Sequence, residues 1–265
     1  MKKLICFDMD MTLLDHGTRE IPKSAREGIR KLKENGHVVA IASGRDMDDG
    51  FSSGLAEKVE PHAIVHCNGQ KVTVGNRILR EIFMDKELIR RLIVFGEDHE
   101  ICVGFHMGKD GAFTFPEVVK ERETKTFGSC EKNFVSPWRL LDGNFYALAM
   151  FGKDAQDTIR KAAQIEQAFP EIKCALFSRN EGADVILRQA SKAEGIKCLL
   201  DYYGLEKKDV VAFGDSMNDI EMIREAGVGV AMGNAIEALK KEADFVTKPI
   251  WEDGILFALE KLGLV

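Results

Sequence analysis

The fold of this chain is decided by a stretch near its amino terminus, Leu4-Ile5-Cys6-Phe7-Asp8-Met9-Asp10-Met11-Thr12. Four apolar residues that stop at an acidic turn predict a buried strand of a parallel sheet, with Asp8 and Asp10 beyond its carboxyl end. Open α/β sheets bind their ligands at that edge. The stretch therefore predicts an α/β fold that carries two carboxylates where a ligand binds.

The Asp-x-Asp-x-Thr pattern suits phosphoryl transfer. One carboxylate can attack phosphorus, the second can move a proton, and Thr12 can hold the geometry of the turn. A strand that ends in an acidic turn without any chemistry explains the same residues, so the motif alone leaves both interpretations open. A calcium-binding EF-hand is excluded, because no helix precedes Asp8 and no glutamate closes the loop.

The composition describes a folded, acidic protein. It has 265 residues, of which 45% are hydrophobic and 30% charged, and we expect two domains. The net charge of -6 argues against non-specific binding to nucleic acid or to a membrane, so a small molecule is the expected partner. The sequence gives no sign of an obligate protein partner.

Six cysteines are scattered along the chain, with no Cys-x-x-Cys pair and several inside apolar runs. This distribution is typical of reduced, buried thiols and predicts a cytoplasmic protein. No apolar run in the sequence is long enough to span a bilayer.

Two further apolar runs predict strands that end at the same edge as the first. Val38–Ala42 is followed by Ser43-Gly44-Arg45, and residues 63–67 are followed by Asn68-Gly69. A right-handed crossover through the intervening helix brings Ser43 and the bare backbone of Gly44 to the edge that carries Asp8. Asn68 is a further candidate for lining this site.

A lysine is expected at the start of a later helix. Ser191-Lys192-Ala193-Glu194 has the form of a capping box, which places Lys192 in the first helical turn. A lysine there is mildly unfavourable with the helix dipole, whereas a phosphate is bound well at this position. Most lysines are solvated, so the functional interpretation depends on the other motifs.

A second acidic turn follows the apolar run of residues 210–213, in the sequence Gly214-Asp215-Ser216-Met217-Asn218-Asp219. Carboxylates from two strand ends need a compensating cation, and an all-oxygen set near phosphate favours magnesium over zinc. Asp219 has an alternative explanation as the capping partner of Ser216 in the following helix.

The pattern changes to longer mixed segments between these motifs. We expect a catalytic core of residues 1–84 and 190–265, interrupted by an inserted α+β domain of residues 85–189. The inserted domain is expected to cover the site and to select the substrate, although a purely structural insertion is the alternative. Its candidate ligand-binding residues are His106, Arg179 and Asn180.

Four of these motifs stand in the order that defines a known family. They are Asp8-Met9-Asp10-Met11-Thr12, Ser43-Gly44-Arg45, Lys192 and Gly214-Asp215-Ser216-Met217-Asn218-Asp219. The chain resembles the haloacid dehalogenase-like (HAD) hydrolases, and its insertion resembles the larger cap of their Cof-type branch. The resemblance implies a Rossmann-like core, a doubly wound parallel α/β sheet, with an inserted α+β cap.

The resemblance also implies roles for individual residues. Asp8 would be the nucleophile that forms an aspartyl-phosphate, and Asp10 the general acid and then base. The residues that would bind phosphate are Thr12, Ser43, Gly44, Lys192 and Asn218. The ligands of Mg²⁺ would be Asp8, the carbonyl of Asp10, and Asp215, with Asp219 supporting the metal. Gly233-Asn234-Ala235 also resembles a family feature.

Two positions depart from the family pattern. Met11 stands where glycine is usual, which restricts the turn, and the third motif reads Ser191-Lys192-Ala193 where Asn-Lys-Gly is common. Neither change removes a reacting group. The implied chemistry further predicts that Asp10 has a raised pKa, because it must carry a proton to the leaving group.

These observations predict a cytoplasmic, Mg²⁺-dependent phosphatase that acts on small phosphorylated metabolites, with sugar phosphates as the first choice. A phosphomutase is one alternative, because it shares the aspartyl-phosphate but returns the phosphoryl group to a sugar. A sensor that binds a phosphorylated metabolite without turnover is the other, suggested by Met11.

Overall fold

A computed structural model describes residues 2–48, 50–177 and 180–265. The chain divides into two compact units, which are Met1–Glu81 with Ala190–Val265, and Ile82–Gln189. The second unit is therefore an insertion within the first. The fold confirms the predicted class, a mixed α/β protein with a parallel sheet.

The strands, in chain order, are β1 (Leu4–Phe7), β2 (Val38–Ala42), β3 (Ala63–His66), β4 (Lys71–Val74), β5 (Arg77–Glu81), β6 (Cys102–Met107), β7 (Asp110–Phe113), β8 (Asn133–Val135), β9 (Ala147–Phe151), β10 (Ile172–Leu176), β11 (Ala183–Leu187), β12 (Val210–Gly214), β13 (Val228–Ala231) and β14 (Phe245–Val246). The helices are α1 (Lys23–Glu34), α2 (Gly50–Val59), α3 (Lys86–Asp98), α4 (Pro116–Phe127), α5 (Ala155–Ala168), α6 (Lys192–Tyr203), α7 (Ile220–Glu225), α8 (Glu237–Glu242) and α9 (Gly254–Lys261).

The first unit is built on one sheet with the strand order β14-β13-β12-β1-β2-β3-β4-β5. The first six strands in this order, from β14 through β1 to β3, pair in parallel. The remaining two, β4 and β5, form an antiparallel hairpin beside β3. Every residue of β1 is buried, and the Phe7 and Phe213 rings stack at 4.8 Å. Burial on both faces explains why these strands are continuous apolar runs in the sequence.

Helix α1 illustrates how sequence pattern and packing agree. Its buried face includes Ala25, Ile29 and Leu32, as the spacing predicts. Beyond its end, Gly36 takes a positive φ of 81° that glycine adopts without strain.

The inserted unit has its own sheet, in the order β10-β11-β9-β6-β7-β8. A cluster of buried side chains within it includes Cys102, Phe113, Val119 and Phe151. No apolar stripe marks α4 in the sequence, and Val119 is its one buried residue, so hydrophobic periodicity does not predict this helix. Among the residues that the structure describes, no helix has both the length and the apolar character needed to cross a membrane.

Candidate active site

The predicted site residues of the first unit follow the carboxyl ends of neighbouring parallel strands. Asp8 follows β1, Ser43 follows β2, and Asp215 follows β12. Strand β1 lies between the other two in register, with Phe7 opposite both Ile41 and Phe213. The parallel pairing therefore brings the three strand ends to one edge of the sheet.

Lys192 is a buried cation between two of the carboxylates. Its Nζ donates to Asp8 Oδ1 at 2.5 Å and to Asp219 Oδ1 at 2.6 Å, and its side chain has no solvent exposure. The helix start that delivers it is capped as predicted, since Ser191 Oγ accepts the Glu194 N–H at 3.2 Å. Burial lowers the pKa of Lys192, but the charges of Asp219 and Asp8 outweigh it and raise that pKa overall.

Asp219 has the capping geometry that the sequence predicts for it, and its second carboxylate oxygen binds a lysine. Its Oδ2 accepts the backbone N–H groups of Asp215 at 3.0 Å and Ser216 at 3.1 Å, which is the capping role. Its Oδ1 binds Lys192, as described above, so one buried carboxylate fixes both the turn after β12 and the lysine. Gly214 is required beside it, because a Cβ there would lie 2.6 Å from the Asp219 Cβ.

Asp8 and Asp215 are two carboxyl groups of the site whose ionisation the surroundings oppose. Burial, followed by the charge of Asp219, raises the pKa of Asp8 to about 7. Burial and the charges of Asp8 and Asp219 raise the pKa of Asp215 to about 9. Carboxylate oxygens of all three residues lie within 4.8 Å of one another. An all-oxygen set whose members repel one another fits a hard divalent cation, so these residues could hold a metal ion.

Asp10 lies in different surroundings. Arg45 donates two hydrogen bonds of 2.7 Å to the Asp10 carboxylate, one from Nε and one from a terminal guanidinium nitrogen. His16 Nε2 lies 2.7 Å from Asp10 Oδ1. Burial opposes ionisation, but these contacts hold the pKa of Asp10 below its ordinary value. The prediction of a raised pKa is therefore wrong for this structure, because the fold places two hydrogen-bonding partners beside the carboxylate.

The turn after β1 is held from both sides. Thr12 is fully buried, and its hydroxyl lies 3.5 Å from Asp215 Oδ1. Met11 has a φ of 59°, in the left-handed region where the glycine usual for the family would be unstrained. Asn234 stabilises this conformation, since its Nδ2 donates to the Met11 carbonyl at 2.9 Å.

The remaining predicted phosphate-binding residues also meet in the first unit. Ser43 is fully buried, and its Oγ accepts the Arg45 N–H at 3.1 Å. A Cβ added to Gly44 would lie 3.2 Å from Asn68 Nδ2 and 3.6 Å from Asn218 Nδ2. The bare glycine therefore lies against two side-chain amides, one of which belongs to a predicted phosphate-binding residue.

The sequence does not predict the partners of Asp10. Arg45 belongs to the second motif and His16 lies six residues after Asp10, but neither position indicates a contact with its carboxylate. Asn234 was noted only through the family resemblance. All three act through contacts that the fold creates.

The candidates in the inserted unit are less clearly placed. His106 packs its ring against Phe113 and lies 3.5 Å from Glu123 Oε1. The Asn180 N–H donates to the Phe177 carbonyl at 2.8 Å. Arg179 lies outside the described residues. These positions remain predictions.

A sequence profile of haloacid dehalogenase-like hydrolases matches residues 5–259. The chain belongs to this family. It is 35% identical over 267 residues to YkrA of Bacillus subtilis strain 168, named as a candidate phosphatase, with 99% of this chain and 98% of YkrA covered. The match confirms the predicted family and the predicted class of enzyme, a phosphatase.

Solved structures agree with this assignment. A protein from Geobacillus kaustophilus HTA426 has a TM-score of 0.83 and 31% identity, with 100% of both chains covered. A subclass IIB sugar phosphatase of the HAD superfamily, BT4131, has a TM-score of 0.83 and 26% identity, also over 100% of both chains.

Proposed function

We propose that this protein is a Mg²⁺-dependent phosphatase of small phosphorylated metabolites, and that it acts through an aspartyl-phosphate on Asp8. One observation supports this above all others. Asp8 is buried, hydrogen-bonded to the Lys192 cation and grouped with Asp215 at the edge where three strands end. A carboxylate so placed can approach a phosphoryl group while a cation offsets the added negative charge.

The reaction has two halves. In the first, an Asp8 oxygen bonds to phosphorus, the bond from phosphorus to the leaving oxygen breaks, and Asp10 gives that oxygen its proton. In the second, water bonds to phosphorus, Asp10 accepts a proton from that water, and the bond from phosphorus to Asp8 breaks. Arg45 and His16 favour the ionised form of Asp10, which the second half requires, and they oppose the protonated form that the first half requires.

The proposed metal ligands are Asp8, Asp215 and the carbonyl of Asp10, and Mg²⁺ bound there would offset charge on the phosphoryl oxygens. Asp219 has both oxygens engaged by Lys192 and by backbone N–H groups, so its support for the metal is to hold the Asp215 turn. Thr12, Ser43, Gly44, Lys192 and Asn218 are the proposed phosphate-binding residues.

Sugar phosphates are the proposed substrates. The sugar phosphatase BT4131 supports this choice, since it aligns with the whole chain. We assign substrate selection to the inserted unit, and a cytoplasmic location to the protein. Burial raises the pKa of the Cys102 and Cys174 thiols to about 12, so these thiols stay protonated and unreactive. A cytoplasmic location would keep such thiols reduced.

Hydrolysis of p-nitrophenyl phosphate with and without Mg²⁺ tests the proposal. The parent protein should be active only with the metal, and Asp8→Asn should lower kcat by about 10⁴-fold or more. Asp201→Asn is the matched control, because Asp201 is an exposed aspartate of α6. ³²P label from substrate should be trapped on acid-quenched parent protein and absent from Asp8→Asn.

Two outcomes would replace the proposal with its alternatives. Isomerised sugar phosphate as the main product would indicate a phosphomutase. Tight binding of phosphorylated sugars by a parent protein that shows no turnover of any phosphate ester would indicate a sensor.

A further inference from the structure

The segment Cys67-Asn68-Gly69 has an unusual backbone. Its three residues all have positive φ angles, of 49°, 51° and 90°. Asparagine and glycine tolerate this region, but a cysteine there is strained. Strained backbone persists where surrounding contacts hold it, and it concentrates at functional sites.

Backbone hydrogen bonds fasten this segment to the loop after β2. The Cys67 N–H donates to the Arg45 carbonyl at 3.0 Å, and the Asn68 N–H donates to the Ser43 carbonyl at 2.9 Å. The conformation of the segment and that of the second motif are therefore coupled.

The same segment lies against the start of helix α6. A Cβ on Gly69 would lie 2.1 Å from the Ser191 carbonyl oxygen, a distance that no side chain can accept. Ser191 caps the helix that begins with Lys192. Gly69 thus lets the backbone approach the third motif directly.

The Asn68 side chain reaches the fourth motif. Its Oδ1 accepts a hydrogen bond from Asn218 Nδ2 at 3.1 Å, while Asn218 Oδ1 accepts one from Ser216 Oγ at 2.7 Å. Asn68 is 3% exposed, so water competes little for this contact. With both ends engaged, the Asn218 amide has one favoured orientation.

We propose that Asn68 is a positioning residue that orients the Asn218 amide for the phosphoryl group of the substrate. Asn68 belongs to none of the four motifs, although the segment Cys67-Asn68-Gly69 contacts the second, third and fourth of them. The inference deepens the proposed function and rests on Asn218 being a phosphate-binding residue.

A double-mutant cycle tests this inference, with inorganic phosphate as the probe. Asn68→Gly keeps a residue that tolerates positive φ and removes the side-chain amide together with its methylene group, and Asn218→Ala removes the group that it orients. The dissociation constant of phosphate is measured by calorimetry and by competitive inhibition. Each single variant should weaken phosphate binding about tenfold, equivalent to about 1.4 kcal/mol.

The double variant decides the outcome. If Asn68 acts through Asn218, Asn68→Gly adds almost nothing in the Asn218→Ala background, so the double variant also binds about tenfold more weakly. An approximately hundredfold loss, or parent-like binding by Asn68→Gly alone, would overturn the inference. KM should rise with the dissociation constant of phosphate while kcat changes less.

Glu60→Gly is the matched control, because Glu60 has a φ of 49° and is exposed. It should leave phosphate binding unchanged. A parent protein that binds phosphate but hydrolyses no ester would contradict the proposed function and leave the cycle interpretable.

Discussion

Asp8 and Asp10 lie only two residues apart in sequence, yet the electrostatics of their surroundings differ. Asp8 is 4% exposed and shares a buried space with Asp215, Asp219 and Lys192. The Asp10 side chain is 34% exposed and is held by Arg45 and His16. Burial and neighbouring anions raise the pKa of Asp8, whereas hydrogen-bonding partners lower that of Asp10 despite its partial burial.

Neighbours in space, and not position in the sequence, therefore set the properties of each carboxylate. Asp8 lies beside carboxyl groups whose ionised forms a metal would stabilise, and beside the fully buried cation of Lys192. The Asp10 carboxylate is hydrogen-bonded by Arg45 and His16, whose side chains are both partly exposed to solvent. This contrast supports the roles proposed above, a nucleophile beside a metal for Asp8 and a proton-transferring group for the Asp10 side chain.

Removal of the buried cation should have the largest effect on this comparison. Lys192→Met leaves Asp8 and Asp219 without their shared partner, and loss of one member of a buried ion pair costs about 3–5 kcal/mol. Urea unfolding without metal should show this loss at pH 8 and a smaller one at pH 5, where the carboxylates can take protons. Lys197→Met is the control, because Lys197 lies on the same helix and is only half-buried, with 41% of its side chain exposed. Equal stability of Lys192→Met and parent at pH 8 would contradict the description of the Asp8 region.

The second effect concerns the metal and pH. The folded pKa values of Asp8 and Asp215 are about 7 and about 9, above the ordinary value of 3.8. Between about pH 4 and pH 9, the metal-free folded protein therefore binds more protons than the unfolded chain. Its stability should therefore fall as pH rises from about 4 to 9. Added Mg²⁺ should restore it, raising Tm by roughly 5–10 °C at a hundred times its Kd, and more at pH 8 than at pH 5.

Asp215→Asn sharpens this test. Thermal unfolding should show that the variant loses most of the Mg²⁺-dependent rise in Tm and some of the fall in metal-free stability with pH. The exposed Asp201→Asn variant should keep both. A Tm of the parent protein that does not respond to Mg²⁺ at pH 8 would count against the metal site.

The contrast between Asp8 and Asp10 also marks how far the sequence can be interpreted. Apolar runs that end in polar turns predicted β1, β2 and β12, and parallel pairing then required their ends to meet at one edge. The capping box predicted where Lys192 begins its helix. These features are local in sequence, so pattern and propensity carry them.

The rest depends on contacts between distant residues. Arg45 reaches Asp10 from 35 positions away, so the lowered pKa of Asp10 could not be anticipated from the acidic turn. The sequence does not predict α2 or α4, because glycine and serine fill most of the first half of α2 and no apolar stripe marks α4. The positive φ of Cys67 was equally invisible, because its backbone is held by the neighbouring loop.

A third test acts on the Asp10 region alone. Arg45→Lys keeps the charge but cannot reproduce two hydrogen bonds in one plane. Because proton transfer by a positioned group contributes about 10²–10⁴-fold to rate, partial loss of positioning should lower kcat about 10-fold to 100-fold. The Mg²⁺-dependent rise in Tm should stay at the parent value. Arg26→Lys, on the exposed face of α1, is the control. A parallel loss of the metal response would mean that the two regions are not separate.

The smallest effect is expected at His16. Its side chain is 52% exposed, and exposed ion pairs contribute about 0–1 kcal/mol, so His16→Ala should lower kcat by at most about fivefold. His16→Gln should retain more activity than His16→Ala, because the amide can donate to Asp10 in place of Nε2. Because Arg45 and His16 share the same Asp10 oxygen, the effects of Arg45→Lys and His16→Ala should not multiply, and steady-state kinetics of the double variant measure this directly. If His16→Ala lowered kcat as much as Arg45→Lys does, the exposed imidazole, and not the guanidinium, would be the group that holds the Asp10 carboxylate. The more exposed contact would then be the stronger one, against the order that burial predicts.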